Sequence, residues 1–391
     1  MAGTANRPWV VFGGSFLAAV GFFAYLLAPA SLVPVLVSEY AVSGTAASLA
    51  ISAVFLGWVL LQLPGGVAVD RYDNRWLVGC AGCLLVLAGG AGLFAPTYRA
   101  VLVTRFVGGT AAVFLWTANV NIVTSTFPAG RRATAVSLFA ASAPAGAAIA
   151  QFGSPLLAAG LDPTAVFAAY TLVTAVGVAI LAVTLDGPVR STTRLSRSRL
   201  LGTLSSRAVL LASVSSFCTY ALFVFFNSWM PTYVLEVLTV ELAAAGALAA
   251  VVPILGLLAR PGGGLLAEYF GGRLRTTVVL AFGVALVALV GLRFAELLPL
   301  LVVSLVLAGI GSQLGMGALL VYVTRMTQPE TRGSAVAALT TLSMTGALLA
   351  PPVGGWLVAS HSWELTFLAG GVLAVVGIVA ILASPASRTS K

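Results

Sequence analysis

Twelve stretches of this chain are apolar for long enough to cross a bilayer, and that leaves it few ways to fold. They fall near residues 9–37, 45–69, 76–95, 100–123, 134–159, 164–185, 208–231, 242–266, 275–295, 297–323, 334–359 and 363–384. Each approaches or exceeds the roughly 20 helical residues that span a hydrocarbon core. No water reaches the backbone there, so every N–H and C=O must be paired within a helix or in a closed barrel. The runs are continuously apolar, without the short alternating segments of barrel strands, so an all-α polytopic membrane protein is expected. Composition agrees: 60% of residues are hydrophobic and 8% charged. A mean hydropathy of +1.06 is foreign to soluble domains of this length. The first run is too long for a cleavable signal and lacks a small-residue cleavage site.

The chain also repeats itself. Gly65-Gly66-Val67-Ala68-Val69-Asp70-Arg71-Tyr72-Asp73-Asn74-Arg75 leaves the second run, and Gly263-Gly264-Leu265-Leu266-Ala267-Glu268-Tyr269-Phe270-Gly271-Gly272-Arg273 leaves the eighth. At an offset of 198 (263 − 65), Gly66 matches Gly264, Asp70 matches Glu268 and Arg75 matches Arg273. Such duplication fixes the architecture as two pseudo-symmetric six-helix bundles, and repeated membrane halves usually belong to transporters. Gly66 has no side chain, so a neighbouring helix can approach it closely. Asp70, one turn on, opposes its own helix's negative end and is better placed against another helix's N-terminus or an arginine. Arg71 and Arg75 supply positive charge nearby. Such a cluster can hold and release two halves as they rock. The plainer alternative, topological arginines beside a turn acid, suits one copy better than two in register.

Net charge is +9, from nineteen arginines and one lysine against eleven acids. The basic residues, among them Arg131, Arg132, Arg190, Arg194, Arg197, Arg199 and Arg332, fall on one set of alternate loops, while the other set holds only Arg99 and Arg293. That asymmetry sets orientation rather than nucleic-acid binding, and it places both termini in the cytoplasm of a cell-membrane protein. Residues 186–207, rich in Ser, Thr and Arg, read as a cytoplasmic linker between bundles 1–185 and 208–391. Its arginines could also touch anionic lipid.

Little else in the sequence suggests chemistry. Cys80 and Cys83 have metal-like spacing but lie inside a run with no second pair, and read as small apolar packing residues; Cys218 is alone. His361 is the one histidine. No metal or cofactor is expected. An embedded enzyme would need a histidine, paired aspartates or an activated serine, and none is visible.

A second pair of segments also matches. Phe127-Pro128-Ala129-Gly130-Arg131-Arg132-Ala133 follows the fourth run and Gln328-Pro329-Glu330-Thr331-Arg332-Gly333-Ser334 the tenth. In both, a proline ends the helix and an arginine follows three residues later. With the twelve runs, the long linker, Gly66…Asp70-Arg71…Arg75 and Arg105-Phe106-Val107-Gly108-Gly109, the chain resembles the major facilitator superfamily over nearly its whole length. The resemblance implies a central cavity lined mainly by runs 1, 4, 7 and 10, and alternating access. Three features depart from the family pattern. Asp73 stands where glycine is usual, Tyr269 replaces a basic residue, and run 5 reads Ala143-Pro144-Ala145-Gly146 without the antiporter signature.

Polar residues within spans are expensive and informative. At 100° per residue, Arg105, Trp116 and Asn119 share a face of run 4, with Asn121 nearly opposite. Tyr220, Phe223 and Asn227 share a face of run 7, which Trp229-Met230-Pro231-Thr232-Tyr233 is expected to end. Gln313 stands in run 10 and Tyr25 in run 1. Substrate contact and interhelical hydrogen bonding compete as explanations for each. Arg260 of run 8, whose counterpart is Gln62, either snorkels to the inner surface or meets a ligand. The stretch from Trp229 to Tyr233 with Arg260-Pro261 loosely resembles anion porters. Every acid lies at or beyond a span end, so Arg105 and Arg260 lack a mid-membrane carboxylate; a ligand carboxylate, a backbone carbonyl or water remains. The sequence therefore favours a symporter or uniporter of a small organic anion, monomeric in the bilayer, with or without a coupling ion. An exporter of apolar or cationic compounds is the runner-up, and a non-transporting sensor a distant third.

Overall fold

A computed structural model describes residues 7–190, 206–295, 297–328 and 331–385. It contains twelve helices long and apolar enough to cross a membrane. They are α1 (Arg7–Ser31), α2 (Gly44–Arg71), α3 (Asn74–Gly92), α4 (Tyr98–Thr126), α5 (Ala129–Ala158), α6 (Pro163–Thr184), α7 (Arg207–Leu238), α8 (Leu242–Ala267), α9 (Leu274–Arg293), α10 (Leu298–Met326), α11 (Gly333–Ser360) and α12 (Trp363–Ala383). Most bounds lie within a few residues of those expected. Two differ in kind. The first run breaks at Leu32 and resumes as a short helix, Val33–Tyr40, because Pro29 and Pro34 interrupt the ladder. Pro231 does not end α7, which continues to Leu238 and stops at Thr239 with φ 50°. A proline inside a membrane helix frees one carbonyl but need not end the helix where neighbouring helices pack round it.

The chain divides into two compact units, Met1–Ala41 with Ala53–Arg194 and Val42–Ser52 with Leu195–Lys391. Of the expected linker, residues 191–205 lie outside the described set.

In the first unit small residues set the helix spacing. A methyl group on Gly21 of α1 would sit 2.5 Å from Thr174 N of α6, and one on Gly146 of α5 would sit 2.5 Å from Val20 O. Gly57 of α2 lies against α4, where a methyl would be 2.6 Å from Phe106 O. Backbone approach this close draws on van der Waals packing, the main attraction between helices where lipid is as apolar as the side chains.

The second unit repeats that crossing. Gly109 of α4 packs on the Val54 carbonyl of α2, and Gly309 of α10 packs on the Val252 carbonyl of α8, 198 residues beyond Val54 (252 − 54). The duplication read from the loops therefore extends into the helix contacts of each unit. In the second unit Ser52 Oγ also donates to Leu348 O at 2.7 Å. That carbonyl is free because Pro352, four residues on, has no N–H to offer it.

Candidate functional site

Pro29 decides the surroundings of Arg105. The carbonyl four residues before a helical proline has no ladder donor, and here that is Tyr25 O. Arg105 Nη1 donates to it at 2.6 Å and Nη2 donates to Leu26 O at 2.7 Å. The guanidinium carbon lies 4.1 Å from the Tyr25 ring centroid and 4.8 Å from that of Phe167 in α6. Arg105 is 1% exposed, among the largest fully buried side chains of the protein. Charge-assisted hydrogen bonds contribute about 1.5–3 kcal/mol each, and desolvated cation–π contacts about 2 kcal/mol. Of the partners left open by the sequence, the structure supplies backbone carbonyls. A small pocket lined by Gly89, Gly92, Thr104 and Thr164 adjoins the arginine, away from Trp116 and Asn119.

The single face expected on α4 is interrupted. Phe114–Ala118 forms a π turn, wider than an α turn, so a constant 100° count fails between Arg105 and Asn119. Trp116 sits within that turn, half-buried, with its ring 5.5 Å from Phe23 of α1 and 5.1 Å from Phe139 of α5. Asn119 is fully buried just after it. Its Nδ2 donates to Leu115 O at 2.7 Å, while Oδ1 has no partner. Arg105 thus turns toward α6 and Trp116 toward α5, though both touch α1. Tyr25 is buried beneath Arg105.

In the second unit Arg260 Nη2 donates to Tyr220 Oη of α7 at 2.8 Å, and both residues are half-buried. Its first-half counterpart, Gln62, instead accepts from Trp58 Nε1 at 2.8 Å. Asn227 is buried and donates to Phe223 O at 2.8 Å. Gln313 of α10 is fully buried, and neither its Nε2 nor its Oε1 has a hydrogen-bond partner. It fills the space beside Gly256 of α8, where a methyl group would lie 2.9 Å from Gln313 Cγ.

The repeated loop motifs are arranged differently in the two units. A methyl group on Gly65 would lie 2.7 Å from Val113 Cγ1 of α4, and one on Gly263 would meet the Leu314 carbonyl of α10. A methyl on Gly264 would meet nothing within 4 Å. Asp70 and Gly66 are half-buried at the end of α2, while Arg71, Arg131 and Arg273 are exposed. The side chains of Glu268 and Arg332 lie outside the described set.

Asp73 and its neighbours form a clasp. Asp73 caps α3 by accepting from Arg75 N at 3.1 Å, and it binds the Arg75 guanidinium at 3.0 and 2.7 Å. It also accepts from Val189 N at 3.0 Å. Asn74, fully buried, donates its backbone N–H and its Nδ2 to Val189 O at 2.8 and 2.9 Å. Arg75 reaches Leu185 O at 3.4 Å, and Arg7 pairs with Asp186. Burial raises the Asp73 carboxyl, but the Arg75 guanidinium and the backbone N–H groups of Val189 and Arg75 outweigh it and hold the group below its ordinary value. The corresponding positions in the second unit are Gly271 and Gly272, with φ of 65° and 80°, a left-handed turn that needs glycine.

The sequence profile of the Major Facilitator Superfamily matches residues 11–292 and 259–391. The chain belongs to that superfamily. As a superfamily member it is a multi-pass membrane transporter of small solutes. Similar solved structures include the nucleoside transporter NupG, at 14% identity and a TM-score of 0.77 over 97% of this chain and 99% of that one. Another is a bacterial homologue of the human lysosomal transporter Spinster in an inward-facing, occupied conformation. It shows 18% identity and a TM-score of 0.74 over 99% and 98% of the two chains. At such identities the likeness is one of fold. No curated protein matches the sequence significantly.

Proposed function

We propose that this superfamily member carries a small organic anion across the cell membrane by alternating access, with both termini cytoplasmic. Arg260 carries the anion reading. It is a half-buried arginine within the span α8, and its Nη2 donates to Tyr220 Oη of α7. Arg105 no longer supports that reading, because two carbonyls and two rings of its own unit take up its guanidinium. In the second unit Tyr220, Asn227 and Gln313 are the proposed polar contacts, and in the first unit Trp116 and Asn119 are the candidates, in keeping with the rarity of polar groups inside spans.

Thermal-shift screening of the purified protein against charged and neutral solutes tests this, since a ligand of the folded state raises apparent stability by mass action. Anions should dominate the responders, and Arg260→Gln should abolish their effect while leaving the unliganded melting temperature nearly unchanged. Responders that are all neutral or cationic, unaffected by Arg260→Gln, would overturn the anion assignment and favour the exporter reading.

A further inference from the structure

Gln313 is placed as a packing residue would be, yet its chemistry does not suit packing. Its amide is fully buried with both polar atoms unpartnered. Leaving such atoms unsatisfied is unfavourable, and the membrane interior offers no water to relieve it. Leucine or methionine would fill the space beside Gly256 without that penalty, so volume alone does not explain a glutamine there.

The register of α8 and α10 relates Gln313 to Arg260. Gly309 packs at Val252, Gln313 at Gly256 and Gly317 at the Arg260 carbonyl, so the two helices run side by side in steps of four residues. Arg260 is therefore one turn from the level of Gln313, roughly 5.4 Å along the axis. Side chains on a helix lean toward its N-terminus, which carries the guanidinium back toward that level. Its bond to Tyr220 Oη of α7 holds it inside the unit.

We infer that Gln313 is a specificity-determining residue that reads an amide-type edge of the solute, a carbonyl beside an N–H, while Arg260 takes the solute's negative charge. A glutamine side chain offers one acceptor and two donors in a plane, the complement of an amide, imide or ureide edge. The substrate class is then a small carboxylate bearing such an edge within about one helical turn, ~5 Å, of its charge. This inference rests on the anion reading of Arg260, and the test separates the two.

Three probes suffice: orotate, with a carboxylate beside a ureide N–H/C=O edge; benzoate, with the charge and ring but no edge; and uracil, with the edge but no carboxylate. Binding to the full-length purified protein is measured by thermal shift at matched ionic strength. Orotate should bind about tenfold more tightly than benzoate, the equivalent of one net hydrogen bond. Gln313→Met, which keeps the volume and removes the amide, should bring orotate down to benzoate's affinity without weakening benzoate. Should that variant misfold, Gly256→Ala serves instead, because its added methyl displaces the Gln313 side chain and should erase the same preference. Equal binding of orotate and benzoate to the unaltered protein, or a preference that survives Gln313→Met, would assign Gln313 to helix packing alone. Binding of uracil alone, dependent on Gln313, would remove the anion reading while keeping the edge reader. No response to any probe rejects the proposed substrate class.

Discussion

Arg105 illustrates how one residue's role depends on a backbone atom eighty positions away. An arginine in mid-span, with no acid at its depth, points to a ligand when read alone. Pro29 changes that reading, because it strips the ladder donor from Tyr25 O and leaves an acceptor that Arg105 satisfies at 2.6 Å. Arg105→Gln should therefore lower the melting temperature of the unliganded protein. It orphans the Tyr25 carbonyl at about 1–3 kcal/mol and removes the charge stacked between two rings. Pro29→Ala restores an N–H four residues after Tyr25, so the arginine should matter less in that background. A double-mutant cycle read by thermal denaturation checks this, and strictly additive losses would separate Arg105 from the proline. Both residues stood in the sequence. Their pairing did not, since nothing in a single chain tells which helix will cross Pro29.

At the scale of helices, the sequence carried nearly all of the plan. The twelve spans were legible because each must satisfy its backbone internally, so length and polarity suffice to find them. Azimuth was much less legible. The π turn at Phe114–Ala118 breaks the constant count on α4, and no residue type there announces it. Which glycine of the second pair meets a neighbour also depends on azimuth, and contact falls on Gly263 while Gly264 faces open space. Gly263→Ala should accordingly destabilise by about 1–3 kcal/mol, as overpacking does. Gly264→Ala should be neutral, or stabilising by about 0.5–1 kcal/mol from helix propensity. Equal effects in denaturation would refute the assignment. The Asp73 clasp yields a pH test. A carboxyl whose folded pKa is depressed stabilises fully above its unfolded value of about 3.9, and the contribution fades as pH falls through the folded value. Asp73→Asn keeps a good helix cap while removing the charge. It should lower the melting temperature at pH 7, with the difference from the unaltered protein shrinking as pH falls through the depressed folded value. A difference that persists undiminished at low pH would leave the Asp73 charge without a role.

For the molecule as a whole, duplication is what the sequence stated most plainly, and the two copies have diverged in a way that bears on the transport cycle. In the first unit the turn after α2 is tied by Asp73 and Asn74 to Val189, at the start of the connection between halves. In the second, the matching positions are Gly271 and Gly272 in a left-handed turn, and Tyr269 stands where the first copy has Arg71. A motif with its acid, both arginines and a fixed backbone beside it is better equipped to bias a two-state element than one that keeps Arg273 but has tyrosine at position 269 and a glycine turn in place of the clasp. Asp70→Asn should therefore leave the protein folded and inserted, with a melting temperature close to the original, yet cut solute flux in proteoliposomes by tenfold or more, about 1.4 kcal/mol on the slow step. Glu268→Gln should do distinctly less. Because a substitution that merely weakened packing would lower stability and flux together, both are measured on the same preparations. Flux at the original rate in Asp70→Asn, or equal losses in the two variants, would mean that the first copy has no special part in the cycle and that its arginines serve orientation in the membrane.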